Sequence, residues 1–114
     1  MLGFSSQAND LFRKYKVTKL RPDYYLKLSK TGIIIEVERG QTSQNNAALK
    51  DLWKVHICEE AHYLFLFVPM ELKQNKSNPN KIGGKPFNET VNRLSTFFEK
   101  ENYTNVRGLA IFGY

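Results

Sequence analysis

A chain of 114 residues with 41% hydrophobic and 13% aromatic residues is long enough to bury one core, too short for two, and too apolar for a disordered tail. Its formal net charge of +6 favours an anionic partner, nucleic acid being the commonest, over a neutral small molecule. With Cys58 as the single cysteine, an intrachain disulfide and a cysteine-based zinc cluster are excluded. The opening MLGFSSQANDLFRKYK lacks the apolar core of a signal peptide, and no apolar run approaches the ~20 residues of a membrane span. The expectation is one soluble, cytoplasmic domain over residues 1–114, with no membrane contact.

In chain order, Ser6 to Tyr15 reads as a first helix. Ser5 or Ser6 caps it, and Ala8, Leu11, Phe12 and Tyr15 recur at helical spacing. Lys16 to Leu20 is a basic connector or a short strand, and Pro22 holds Arg21 extended. Tyr24 to Leu28 and Ile33 to Glu38 then form a hairpin around the Gly-containing turn Ser29-Lys30-Thr31-Gly32. A polar loop, Gly40 to Gln44, leads to a second helix capped by Asn45. Its apolar face carries Leu49, Leu52, Trp53 and Ile57, and a polar face carries Asn46, Lys50 and Lys54. His62 to Val68, closed by Pro69, reads as a central strand buried on both faces and parallel to a neighbour. Lys73 to Pro86, with four lysines and no acid, reads as a flexible loop. Asn88 to Glu101 gives a third helix, and Gly108 to Phe112 a last strand. The sum is an α/β sandwich around a mixed sheet.

The pattern that carries chemistry begins in GIIIEVERG. Glu36 and Glu38 sit two apart on one strand, so their side chains share a face about 7 Å apart. Two like charges side by side need a cation or solvent. Solvation, with Arg39, Lys27 or Lys30 as ion partners, is the plain alternative. The hairpin also brings Pro22-Asp23 opposite the end of that strand. Three carboxylates at one sheet end make an oxygen-only site, which suits Mg²⁺ (or Mn²⁺) keeping waters for its substrate.

Pro-Asp, a short spacer and Glu-x-Glu at the end of the adjacent strand resemble the PD-(D/E)XK nuclease superfamily. The order of elements extends the resemblance over most of the chain. It implies a restriction-endonuclease-like three-layer sandwich, a mixed central sheet flanked by helices in the order α-β-β-(β)-α-β-α-β, and metal-dependent cleavage of DNA. It further implies that Asp23 and Glu36 are the metal ligands, with Asp23, Glu36 and Glu38 catalytic. Glu38 departs from the pattern, since the family usually has lysine there to orient or activate the attacking water. Lys54, or in second place Lys50, on the following helix is the expected substitute; Glu38 itself would serve as base or metal ligand.

Gln41, Thr42, Asn45 and Asn46 follow the carboxylates directly and are candidates for phosphate or base-edge contacts, or else a capped polar loop. Lys73, Lys76, Lys81 and Lys85 have the charge for phosphate contacts, or else line a solvated loop. Trp53 and Cys58 read as core, and His56 and His62 as structural or surface groups. Cutting both strands of DNA implies a homodimer, or a larger protein partner that supplies specificity. The competing classes are a catalytically inactive nucleic-acid-binding module of the same fold and a protein-interaction adaptor.

Overall fold

The computed structural model describes residues 4–6, 11–12, 20–39, 47–75, 78–99 and 104–114, with the backbone alone for 4–6 and 72–84. The expected hairpin forms from β2 (Tyr24–Lys27) and β3 (Gly32–Val37), with Tyr24 opposite Ile35 and Lys27 opposite Gly32. Its turn closes through Leu28 N–H donating to the Thr31 carbonyl at 2.7 Å. Gly32 is required by crowding. A Cβ there would stand 2.5 Å from the Tyr25 ring and 2.8 Å from the Glu60 carbonyl oxygen.

A short strand β1 (Phe4–Ser6) pairs antiparallel with β2. Ser6 is therefore strand rather than helix cap, because its backbone groups are taken up by pairing with Tyr24. Leu11 and Phe12 lie in a turn and are buried. The rest of the expected first helix lies outside the described residues, as does most of the Lys16–Leu20 connector.

Helix α1 (Ala47–Ile57) and strand β4 (Tyr63–Val68) follow, with β4 parallel to β3. The strand is central, as expected, but it is buried on one face only. Leu64, Leu66 and Val68 are fully buried, whereas Tyr63, Phe65 and Phe67 keep part of their surface. The aromatic residues alternate onto the face opposite α1 and α2.

The expected Lys73–Pro86 loop is instead a hairpin, β5 (Leu72–Asn75) and β6 (Asn78–Gly84), forming a separate two-stranded sheet. Backbone pairing satisfies N–H and C=O groups whatever the side chains, so a polar composition does not exclude a ladder. Helix α2 (Pro86–Ser95) starts two residues earlier than expected, because Pro86 at its first turn loses no hydrogen bond. It ends sooner, passing into a short 3-10 helix at Thr96–Phe98. Strand β7 (Gly108–Gly113) pairs parallel with β4.

The main sheet is five-stranded and mixed, in the order β1-β2-β3-β4-β7. The β3-α1-β4 and β4-α2-β7 connections cross the sheet in the same direction. Crossovers of one hand then put both helices on one face, where they touch each other and β4. Between helices and sheet lies the core of Ile34, Leu52, Val55, Leu64, Leu66, Val68, Leu94 and Val106. This is an α/β fold, and the described residues supply two of the three expected layers. Because β3, β4 and β7 are parallel, their C-terminal ends share one end of the sheet. The antiparallel β2 begins there, so Asp23 stands at that end too.

Candidate functional site

The register that pairs Tyr24 with Ile35 puts Asp23 opposite Glu36 on the helix-covered face. Asp23 is fixed by its own hairpin: Val37 N–H donates to Asp23 Oδ2 at 2.8 Å. Glu36 points inward beside Ile34 and is 3% exposed. Solvation is therefore not what stabilises this carboxylate, and neither Arg39, Lys27 nor Lys30 is its partner.

That partner is Lys54, which reaches the sheet from α1 and donates from Nζ to Glu36 Oε1 at 2.9 Å. The ammonium also lies 3.5 Å from the Arg21 carbonyl oxygen and 3.5 Å from Asp51 Oδ1. Lys54 is buried although it is charged. Lys50, one turn earlier, is exposed and is not brought to the site. The two lysines are i, i+4 neighbours, but the helix is rolled so that only the later one faces the sheet. Its buried stripe is Ala48, Asp51, Leu52, Lys54 and Val55. Trp53, expected in the core, is 38% exposed and lines a surface cavity with Leu49, Leu52, His56, Phe97 and Thr104.

Asp51 belongs to no motif singled out in the sequence, yet it joins this cluster. It is 3% exposed, and its Oδ2 has no hydrogen-bond partner. The sequence held a signal for it: a carboxylate set among Ala48, Leu52 and Val55, i−3, i+1 and i+4 on an apolar face, is misplaced unless it has a task. Glu38 is half-buried. Its backbone N–H donates to the Phe67 carbonyl, its carbonyl accepts from the Tyr114 hydroxyl, and its carboxylate lies near Asp51.

The electrostatics follow from four carboxyl groups around one ammonium in little water. Burial pushes the Glu36 carboxyl up to about 7; Lys54 opposes the shift and nearby Asp23 adds to it. Burial likewise raises Asp51 well above the usual carboxylate range, helped by Glu38 and Glu36 and opposed by Lys54. For Lys54, burial disfavours the charged form, but Glu36 and Asp51 outweigh it and raise its pKa.

Among the described residues, no three His, Cys, Asp or Glu side chains are grouped to surround one metal ion. Asp23 and Glu36 still make an adjacent pair of hard oxygen donors. Mg²⁺ commonly takes one or two carboxylates and completes its shell with waters and phosphate oxygens. The unpartnered Asp51 Oδ2 fits a site that takes one further cation or donor.

Gln41, Thr42, Asn45, Asn46 and Lys76 lie outside the described residues. Lys73 and Lys81 sit on the paired strands β5 and β6, and Lys85 is exposed immediately before α2. That hairpin joins the end of β4 to the start of α2, so it rises from the carboxylate end of the sheet. His56 and His62 are structural: His56 Nδ1 meets the Thr104 hydroxyl at 2.8 Å, and His62 Nδ1 meets that of Thr31. Cys58 is buried.

No family model, no curated protein and no solved structure matches the chain.

Proposed function

We propose that the chain is a metal-dependent phosphodiesterase acting on DNA, organised like the PD-(D/E)XK nucleases, with its lysine supplied by α1. The observation that carries this reading is Lys54 Nζ at 2.9 Å from Glu36, in a buried cluster with Asp23 across the hairpin. An isolated lysine buried this way costs stability, and an arrangement that fixes it against a carboxylate at a sheet end suits catalysis. The run β1-β2-β3-α1-β4, antiparallel then parallel, supports the β-β-β-α-β part of the restriction-endonuclease-like core.

Asp23 and Glu36 would hold Mg²⁺ or Mn²⁺, which neutralises phosphate charge and activates water when bound. The Val37 N–H clamps Asp23 beside Glu36, so the two carboxyls that would hold the ion are already side by side. Lys54 brings a fixed positive charge to the phosphate as it becomes pentavalent. Glu38, half-buried beside Asp51, is the carboxylate that would accept a proton from the attacking water.

The test is plasmid DNA with the purified chain in Mg²⁺, in Mn²⁺ and in EDTA. Cleavage is expected with either metal only, and it should vanish in Asp23→Ala, Glu36→Ala and Lys54→Ala. Metal-independent cleavage, or cleavage that survives in all three variants, rejects the assignment. One observation favours a second reading. Lys54 is engaged by two carboxylates and Glu38 stands in the usual lysine position, as in a site that keeps its fold and binds nucleic acid without cutting. Salt-sensitive DNA binding with no cleavage in either metal would select it. A homodimer, cutting one strand per copy, accompanies the first reading.

A further inference from the structure

The carboxylates occupy the helix-covered side of the sheet end; the opposite side of that same end is aromatic. Parity along β4 and β7 puts Phe65, Phe67 and Phe112 on the face opposite α1 and α2. Phe67 and Phe112 stack with centroids 4.8 Å apart and planes 19° from parallel, and Phe65 meets Phe112 edge-on at 5.8 Å. Beyond them, Tyr114 lies on the same side and donates its hydroxyl to the Glu38 carbonyl, so its ring is tied to the backbone of the candidate site. The end of β7 is also held by Tyr114 N–H on the Val68 carbonyl and Met70 N–H on the Tyr114 carbonyl. Although held by these contacts, Phe112 is 41% and Tyr114 57% exposed.

Exposed aromatic rings gathered into one patch mark an interaction surface. The charge at this end of the sheet selects the ligand. Lys85 is exposed at this end of the sheet, and the strands bearing Lys73 and Lys81 rise from it. The chain as a whole carries +6. Aromatic faces at the same end of a sheet as a basic segment are a combination that binds single-stranded nucleic acid, with bases stacking on rings and phosphates meeting lysines.

We propose that Phe112 and Tyr114 form a stacking platform for an unpaired base, so that this sheet end holds a single-stranded or frayed segment of its DNA more tightly than fully paired duplex. The inference rests on the nucleic-acid partner proposed above and narrows its class. A strand crossing the sheet end would place a phosphate at Lys54 and Asp23 and lay a neighbouring base on the Tyr114 ring. An intact duplex keeps its bases stacked on each other and offers none to the platform.

The experiment is fluorescence anisotropy in EDTA, using a labelled oligothymidylate of about twelve nucleotides and a labelled duplex hairpin. Tyr114→Ala should weaken oligothymidylate binding about tenfold and duplex binding less than about twofold. Tyr114→Phe, which keeps the ring and loses the hydroxyl, should bind the single strand like the parent chain. Phe112→Ala, checked for folding by circular dichroism, should repeat the selective loss. Equal losses on both probes, or no loss on the single strand, would overturn the proposal. So would a dimer, seen by light scattering, that Tyr114→Ala converts to monomer, since the rings would then cover a second copy. Ring-dependent binding of the single strand without any cleavage would uphold the platform while rejecting the nuclease. Metal-dependent cleavage with ring-independent binding would do the reverse.

Discussion

A carboxyl group that is 3% exposed must find a cation or a proton, and Glu36 has access to both. Lys54 supplies the cation, but burial still raises the carboxyl from 4.5 to about 7. Between those two values the folded chain binds more protons here than the unfolded chain does, so stability falls as pH rises through that window. The loss attributable to Glu36 is on the order of 3 kcal/mol. Urea midpoints measured in EDTA should therefore drop between pH 5 and pH 8, and Glu36→Gln should flatten that drop; equal drops in both proteins would clear Glu36. Lys54→Ala removes the ammonium and leaves Glu36 and Asp51 buried without it, which should cost roughly 3 kcal/mol in chemical denaturation. Lys54→Met keeps the apolar stem and should recover part of that stability but no cleavage. A structural lysine would show no such split between folding and activity. Glu36, Glu38 and Asp23 were legible from residue type and spacing. Asp51 was legible only as a carboxylate out of place on an apolar helix face; its task emerges only when α1 is seen rolled against β3.

At the level of elements, the β2–β3 hairpin was the clearest in the sequence. A β-branched run follows a glycine, and that glycine is fixed by the Tyr25 ring and the Glu60 carbonyl rather than by turn conformation. Gly32→Ala must displace the hairpin from the 58–61 connection and should cost about 1–3 kcal/mol by urea denaturation. If it costs nothing, the close approach is not what holds the hairpin in place. Helix α1 was legible in extent but not in orientation. Its periodic apolar residues define a broad stripe, and the sheet selects which edge of that stripe is inward: Asp51 and Lys54 turn in, Trp53 turns out. The β5–β6 hairpin was illegible for a different reason. Its lysines, asparagines and glycines carry no period-2 hydrophobic signal, and the two strands meet through backbone pairing that such a signal does not announce.

Across the whole molecule, the basic hairpin forms its own small sheet on the end where the carboxylates lie. Changing Lys73, Lys76 and Lys81 together to Gln should leave the denaturation midpoint unchanged within about 0.5 kcal/mol. DNA affinity should fall, and the slope of log K against log salt should decrease by roughly 0.9 for each phosphate that the variant no longer neutralises. An unchanged slope would assign phosphate binding to other parts of the surface. By itself, the sequence determined the α/β class, the central parallel strand and the face shared by Glu36 and Glu38. All three follow from local periodicity and the two-residue repeat of a strand. Only the tertiary structure decided that Lys54 rather than Lys50 meets Glu36, that Asp51 joins them, and that aromatic rings gather behind the same sheet end. Those meetings join residues far apart in the chain. They depend on how a helix rolls and where parallel strands finish together, and no local pattern encodes either.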